Sequence, residues 1–198
     1  NYVDQFGDAV ATGKSKVDTK ALMNFRENYL KKLKELSKEQ IMVTDKMPGN
    51  FRYIGLIRST FPDAKIIHVK RNPAATCWGN YKCLFVKKIE GYNNSLDDLV
   101  AYYRLYQDLM KFWKKIYGNQ IYDLNYETLT TNQEEETRKL IQYLNLEWED
   151  KCLAPQNNKR IVYTASNKQV RQKVYQDSSD KWKKFAPFLN GIFNDLKN

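Results

Sequence analysis

The feature that most constrains the fold is a short strand that leads directly into a helix. Residues 65–70 read Lys-Ile-Ile-His-Val-Lys, which is the clearest strand pattern in the chain. Arg71, Asn72 and Pro73 follow at once. Asparagine is a favoured residue before a helix and proline is favoured at its first position, so we expect a helix to begin here. This pair of elements predicts one unit of an α/β sheet.

The same alternation of elements continues along the chain. Further helices are predicted over residues 18–40, 50–59, 96–117 and 133–144, and further strands over residues 41–44 and 120–124. This order predicts a parallel sheet flanked by helices. A length of 198 residues without internal repeats predicts one domain. We divide it into a helical part over 1–40, an α/β core over 41–145 and a loop-rich segment over 146–198.

Composition excludes several classes of protein. Apolar residues make up 42% and charged residues 28%, which excludes an intrinsically disordered chain. No run of eighteen apolar residues occurs, so the sequence predicts no membrane-spanning segment. The three cysteines are odd in number and form no Cys-x-x-Cys pair, which argues against a disulfide framework or a zinc site. They favour a reducing compartment.

The net charge of +10 predicts an anionic partner. Nucleic acid, a membrane surface and a small phosphate compound all fit that charge. Most aromatic residues, such as Phe25, Tyr106 and Trp113, fall at helical spacing instead of alternating with basic residues. Nucleic acid is therefore the less favoured partner, and a basic polyanion-binding domain is the alternative class of function.

Three predicted strand ends carry candidate binding residues, because open α/β sheets bind ligands at the carboxyl ends of their strands. Arg71 has the strongest case, since it precedes a helix start that attracts anions. Lys46 follows the strand over 41–44, and Tyr126 and Glu127 follow the strand over 120–124. The structural alternatives are a solvated arginine, a solvated lysine, and packing or capping by Tyr126 and Glu127.

Two other patterns do not indicate a functional site. His68 is the single histidine and lies within the strand over 65–70, so a half-buried structural role is favoured over catalysis. No His-Glu-x-x-His motif occurs. Gly13, Lys14 and Ser15 resemble the end of a phosphate-binding loop, but the spacing to Gly7 is wrong and no strand fits before it.

The late segment carries polar and basic groups that suit a nucleotide phosphate. Residues 166–175 combine hydroxyl, amide and cationic side chains. A helix with a serine cap is predicted over residues 178–185. A solvated tail is the alternative interpretation.

Taken together, these segments resemble the sulfotransferase family, in particular its bacterial branch related to tyrosylprotein sulfotransferases. The matching residues are 43–51, 61–73, 125–129, 164–171 and Trp182, in the family's order. The resemblance implies a fold related to P-loop kinases and a metal-free reaction. It also implies the donor 3′-phosphoadenosine 5′-phosphosulfate and a hydroxyl acceptor that the sequence leaves unidentified.

The resemblance also implies roles for individual residues. Arg71 is similar to the arginine that holds the donor's 3′-phosphate, Lys46 to the catalytic lysine that steadies the sulfuryl group, and Ser166 to a second catalytic donor. Gly79 is the donor-site position at which the family usually has a serine. The other implied nucleotide contacts are Tyr126, Ser166, Asn167, Lys168, Gln169, Val170, Arg171, Lys173 and Lys181.

One departure from the family concerns the amino-terminal side. The Ser-Gly-Thr-Thr-like phosphosulfate loop does not occur in these residues. We therefore expect an amino-terminally incomplete sulfotransferase that is inactive alone, from a protein of the bacterial cytoplasm. A non-catalytic sulfotransferase-like domain is a further alternative.

Overall fold

The computed structural model describes residues 9–10, 12–14, 18–37, 40, 42–83, 91–159 and 169–196. They belong to two compact units. The first comprises Asn1–Ala64 and Asp108–Gly118, and the second comprises Lys65–Gln107 and Asn119–Asn198. The prediction of one domain, with boundaries at residues 40 and 145, stays a prediction.

The first unit opens with helix α1, Thr19–Ser37. It begins where the sequence predicts, because Asp18 Oδ1 accepts the backbone N–H of Ala21 at 2.7 Å. Phe25 of this helix is buried and packs against the buried Tyr53. The aliphatic and aromatic side chains of Tyr29, Leu56, Ile57 and Phe61 surround this pair.

A short 3-10 helix, Pro48–Tyr53, leads into helix α2, Ile54–Thr60. Trp113 packs against Gly55 of α2, and its indole N–H donates to the Phe51 carbonyl at 2.8 Å. A Cβ atom at Gly55 would lie 2.8 Å from the Trp113 ring. Glycine at position 55 therefore allows the indole to approach the α2 backbone, because any side chain would displace it.

The predicted strand over residues 41–44 is wrong for the residues that the structure describes. Residues 42–47 have no regular secondary structure, and residue 41 lies outside the described part of the chain. Met42 and Val43 are 56% and 44% exposed. A strand forms through hydrogen bonds to a neighbouring strand, and within the described ranges these residues pair with none. An apolar run alone is therefore not enough to form a strand.

The second unit contains a parallel sheet of two strands, β1 (Ile66–Lys70) and β2 (Ile121–Asn125). Their register runs from Ile66 opposite Ile121 to Lys70 opposite Asn125. Helix α3 (Pro73–Tyr81) and helix α4 (Leu96–Tyr117) lie between the two strands in sequence. From Asp108 to Tyr117, α4 belongs to the first unit. The predicted α/β class, with a small parallel sheet flanked by helices, is confirmed.

Helices α5 (Tyr126–Thr131) and α6 (Gln133–Tyr143) follow β2. After α6 the described residues form short turns of 3-10 helix. These are Asp150–Leu153, Pro155–Asn157, Gln169–Arg171 and Lys181–Phe188. No helix in the described ranges combines the length and the apolar character that crossing a bilayer requires.

The core of the second unit joins α3, α4 and the carboxyl-terminal residues. Its buried members are Ala74, Cys77, Leu99, Val100, Leu189 and Phe193. Cys77 and Leu99 are the most deeply enclosed, at 1% and 2% exposure. Because residues from both ends of the unit share this cluster, the carboxyl-terminal segment is packed onto α3 by apolar burial.

Burial predicts that Cys77 is chemically inert in the folded protein. It raises the pKa of the Cys77 thiol to about 12, and the thiolate is the reactive form. Cys83 and Cys152 are half-buried free thiols. We expect a maleimide at pH 8 to label Cys83 and Cys152 in the native protein, and Cys77 only after denaturation. Mass spectrometry of labelled peptides measures this, and rapid native labelling of Cys77 would contradict it.

Candidate functional site

Arg71 lies at the carboxyl end of β1, immediately before helix α3. The local sequence explains this position. Asn72 Oδ1 accepts the Ala75 N–H at 2.9 Å, and Pro73 occupies the first helical position. The predicted cap is therefore confirmed, and it places the Arg71 side chain at the strand end, where ligands bind in open α/β sheets.

Two serines from the carboxyl-terminal segment bond the Arg71 guanidinium. Its Nε donates to Ser179 Oγ at 3.2 Å, and its Nη2 donates to the Ser178 carbonyl at 2.9 Å and to Ser178 Oγ at 3.3 Å. The guanidinium carbon lies 5.1 Å from the centre of the Tyr126 ring. The Tyr126 hydroxyl and Ser178 Oγ are 2.9 Å apart and share a hydrogen bond.

Glu127 completes this group of side chains. Its Oε1 accepts the backbone N–H of Asn72 at 3.0 Å and the hydroxyl of Ser179. It lies in the first turn of α5, which begins where Asn125 Oδ1 accepts the Thr128 N–H at 2.8 Å. We call the five residues Arg71, Tyr126, Glu127, Ser178 and Ser179 the Arg71 cluster.

The structure thus joins two of the predicted donor residues, Arg71 and Tyr126, in one cluster. Glu127 was a candidate binding residue at the end of the strand over 120–124, with packing or helix capping as the alternative. Ser178 and Ser179 were predicted only as the start of a helix with a serine cap. The predicted helix over 178–185 is instead a turn followed by the 3-10 helix Lys181–Phe188, which begins after Asp180 without a side-chain cap. The Ser178 and Ser179 hydroxyls serve the Arg71 cluster.

Several other predicted donor residues also belong to the second unit. Lys181 Nζ is 5.2 Å from the centre of the Tyr175 ring. Gln169, Val170 and Arg171 form an exposed 3-10 turn, and Lys173 lies in the exposed stretch that follows. Arg171 also lines a cavity of about 580 Å³ together with Gln156, Asn157, Asn158 and Lys159.

The remaining predicted positions fall into three situations. Gly79 is an exposed residue of α3, and a Cβ atom there would meet no described atom within 4 Å. Ser166, Asn167 and Lys168 lie outside the described residues. Lys46 is an exposed residue of the irregular segment 42–47 in the first unit.

In the segment 42–47, Asp45 accepts a 2.5 Å hydrogen bond from the Tyr29 hydroxyl. Burial and this contact raise the pKa of Tyr29 well above its usual value.

His68 connects the two strands to helix α4. Its Nδ1 lies 2.8 Å from Asp123 Oδ1, and its Nε2 lies 2.5 Å from the Tyr106 hydroxyl. A carboxylate only accepts, so Nδ1 donates to Asp123. When the ring is neutral, Nε2 accepts the Tyr106 proton. Burial, followed by the charge of Asp123, raises the pKa of Tyr106 to about 12. The side chain is 12% exposed, which agrees with the structural role predicted for His68.

This hydrogen-bonded chain yields a stability prediction. The Tyr106→Phe variant leaves His68 Nε2 without this partner in a half-buried site, so we expect unfolding to require about 1–2 kcal/mol less free energy. Tyr81, which is 40% exposed, provides the matched control. Tyr81→Phe should change stability by less than about 0.5 kcal/mol. Urea denaturation of both variants measures the difference, and equal stabilities would contradict a structural role for the Tyr106 hydroxyl.

Comparison with known proteins identifies the family. A model of the sulfotransferase family matches residues 9–150. The chain belongs to the sulfotransferase family. It is also 36% identical over 182 residues to an uncharacterized protein of Aquifex aeolicus (strain VF5). That match covers 91% of this chain and 24% of the relative, so the chain spans about a quarter of the relative's length.

Sulfotransferase membership confirms the predicted family, while the branch related to tyrosylprotein sulfotransferases stays a prediction. The matched range contains Arg71, Tyr126 and Glu127 but ends before Ser178 and Ser179. The family match and the contacts of the carboxyl-terminal serines are therefore separate observations, and both involve Arg71. Within the described residues, no three His, Cys, Asp or Glu side chains form a group that could hold a metal ion.

Proposed function

We propose that this chain forms the binding site for the adenosine 3′-phosphate of 3′-phosphoadenosine 5′-phosphosulfate in a sulfotransferase that acts on a hydroxyl acceptor. Family membership supports sulfuryl transfer as the reaction class. The observation that carries the donor proposal is the Arg71 cluster. It gathers a guanidinium and three hydroxyl groups at the carboxyl end of a parallel strand, where ligands bind in such sheets.

The chemistry of this cluster suits a phosphate. A guanidinium offers several N–H groups in a planar fork that matches phosphate oxygens. Nε and Nη2 of Arg71 bond the serines, whereas Nη1 makes no hydrogen bond within the part of the chain that the structure describes. The nine-residue helix α3 also begins at this point, and a helix start favours negative charge.

The proposed reaction is an in-line transfer. The acceptor oxygen forms a bond to sulfur while the bond from sulfur to the 5′-phosphate oxygen breaks. The leaving 3′-phosphoadenosine 5′-phosphate keeps that electron pair, and the acceptor proton passes to a base. As in phosphoryl transfer, catalysis consists mainly of positioning and of neutralising the charge on the leaving group. We assign this neutralisation to Lys46 and Ser166, on the family resemblance.

The other nucleotide contacts are proposed on the same resemblance. They are Gly79, Tyr126, Asn167, Lys168, Gln169, Val170, Arg171, Lys173 and Lys181. The cationic side chains of Lys159 and Arg171 at the cavity support an anionic ligand in this region.

Calorimetric titration tests the donor proposal directly. The intact protein is titrated with 3′-phosphoadenosine 5′-phosphate and, as a matched ligand without the 3′-phosphate, with adenosine 5′-phosphate. We expect the first ligand to bind at least about tenfold more tightly, the equivalent of one charge-assisted hydrogen bond. Equal affinities would contradict the proposal. Binding to heparin or DNA that weakens steeply with salt and ignores nucleotide would favour the polyanion-binding alternative instead.

A transfer assay tests the reaction class. The intact protein is incubated with ³⁵S-labelled 3′-phosphoadenosine 5′-phosphosulfate and separate phenol, carbohydrate and peptide-tyrosine acceptors. We expect these 198 residues alone to label none of the acceptors, because the phosphosulfate loop does not occur in them. Label in one acceptor class would demonstrate sulfuryl transfer and contradict the expectation that the chain is inactive alone.

We propose the bacterial cytoplasm as the compartment. The three cysteines are free thiols, which fits a reducing environment, and the relative named above is bacterial.

A further inference from the structure

Glu127 connects the two segments that surround Arg71. One carboxylate oxygen, Oε1, accepts both the backbone N–H of Asn72 and the hydroxyl of Ser179. Asn72 adjoins Arg71 in the chain, and Ser179 lies 52 residues from Glu127 in sequence. The residue that follows β1 and the carboxyl-terminal segment therefore both donate a hydrogen bond to the Glu127 side chain.

The hydrogen-bond directions give this contact a consequence for Arg71. A hydroxyl has one proton to donate, and an ionised carboxylate only accepts, so the Ser179 proton points to Glu127. The Ser179 lone pairs then face Arg71 Nε, which donates to Oγ at 3.2 Å. Donation to a carboxylate polarises the hydroxyl and strengthens it as an acceptor. Glu127 thus acts on the guanidinium through Ser179 without contacting it.

This arrangement orients one edge of the guanidinium toward the protein. Nε and Nη2 bond Ser179 and Ser178, and the ring of Tyr126 lies 5.1 Å from the guanidinium carbon. The Nη1 edge makes no hydrogen bond to any described residue. An arginine held along one edge keeps its other N–H groups in a fixed direction, which lowers the entropy lost when a ligand binds.

We propose that Glu127 is a positioning residue for the donor's 3′-phosphate. Through Ser179 it fixes the orientation of Arg71, and it thereby sets the affinity for adenosine ligands that carry a 3′-phosphate. The proposal rests on the proposed donor site and adds a residue that is assigned no binding role by the family resemblance.

The experiment compares two ligands across a set of variants of the intact protein. Calorimetry measures the affinity for 3′-phosphoadenosine 5′-phosphate and for adenosine 5′-phosphate. In Glu127→Ala and Ser179→Ala we expect the ratio of these affinities to fall about tenfold, while the affinity for adenosine 5′-phosphate stays the same. Glu127→Gln keeps a carbonyl oxygen that can accept, so its loss should be smaller.

A second background separates positioning from general structural damage. In an Arg71→Ala background, adding Glu127→Ala should change the ratio no further, because the effect acts through Arg71. Glu134→Gln is the matched control, since Glu134 bonds the surface residue Arg138. It should leave the ratio unchanged. If Glu127→Ala fails to fold, Ser179→Ala carries the same test, because it removes only a hydroxyl.

Several results would overturn the proposal. One is an unchanged ratio in folded Glu127→Ala and Ser179→Ala, and another is equal weakening of both ligands. Tighter binding by Glu127→Gln would show that the carboxylate acts on the phosphate by charge repulsion. If the unmodified protein itself failed to distinguish the two ligands, the donor proposal would fail. If the preference for the 3′-phosphate depended on Arg71 but not on Glu127, the donor proposal would stand and only the positioning role of Glu127 would be contradicted.

Discussion

Replacement of Arg71 by alanine is expected to weaken the binding of 3′-phosphoadenosine 5′-phosphate about a hundredfold. Hydrogen bonds between charged groups contribute about 1.5–3 kcal/mol each, and about 1.4 kcal/mol corresponds to a factor of ten in affinity. The loss of two such bonds to one phosphate therefore gives a factor of this size or more. Binding of adenosine 5′-phosphate should change by less than about threefold, because that ligand lacks the group that Arg71 contacts.

Two further variants test whether the effect needs the guanidinium group and whether it is specific to position 71. Arg71→Lys keeps the charge but loses the planar fork, so we expect an intermediate loss. Arg138→Ala removes an exposed arginine that pairs with Glu134 and lies 3.9 Å over the Trp148 ring. This matched control should bind both ligands as the unmodified protein does. An Arg71→Ala variant that kept full preference for the 3′-phosphate would place the phosphate elsewhere and contradict the proposed site.

Replacement of Phe193 by alanine is expected to lower the free energy of unfolding by about 3–5 kcal/mol. Phe193 is 4% exposed in the core of the second unit, and its ring centre lies 5.8 Å from that of Trp182. Truncation removes the buried ring and leaves a cavity among Cys77, Leu99 and Leu189. A loss of this size is large beside the stability of a typical domain, about 5–15 kcal/mol.

Phe188 provides the matched control for this variant. It is 80% exposed and lies five residues before Phe193 in the same segment. Phe188→Ala should change stability by less than about 0.5 kcal/mol. Urea denaturation followed by tryptophan fluorescence measures both variants. Equal losses would show that the segment after residue 188 is not anchored by Phe193, and the contact between α3 and the carboxyl-terminal residues would need another source.

The predictions for Arg71 and Phe193 both involve the carboxyl-terminal segment. Leu189 and Phe193 bury it against α3, and Ser178 and Ser179 bond the arginine that precedes α3. We therefore expect Phe193→Ala, at a temperature where it stays folded, also to bind 3′-phosphoadenosine 5′-phosphate less tightly.

Local signals in the sequence predicted the elements well. Asp18, Asn72 and Ser95 stand at the predicted starts of three helices, and each accepts a backbone N–H there. The strand before Arg71 and the helix Leu96–Tyr117 follow from the same kind of evidence. Capping and helical periodicity involve residues three or four apart, so a single sequence contains the whole signal.

Signals that depend on distant partners led to errors. The run over 41–44 has the composition of a strand, but its described residues pair with no other strand. A serine cap was predicted for a helix over 178–185, but the Ser178 hydroxyl bonds Arg71 and Tyr126. Both outcomes depend on groups far away in sequence, whose positions local preferences do not encode.

The sequence by itself determined the α/β class, the position of Arg71 between a strand and a capped helix, and the resemblance to sulfotransferases, which the family match confirms. Only the tertiary structure decided that Ser178, Ser179 and Glu127 surround that arginine. Arg71 and Ser178 are 107 residues apart in sequence, and they meet because burial of Leu189 and Phe193 packs the carboxyl-terminal segment onto α3. Apolar burial has no direction of its own, so these hydrogen bonds depend on the geometry of the assembled core.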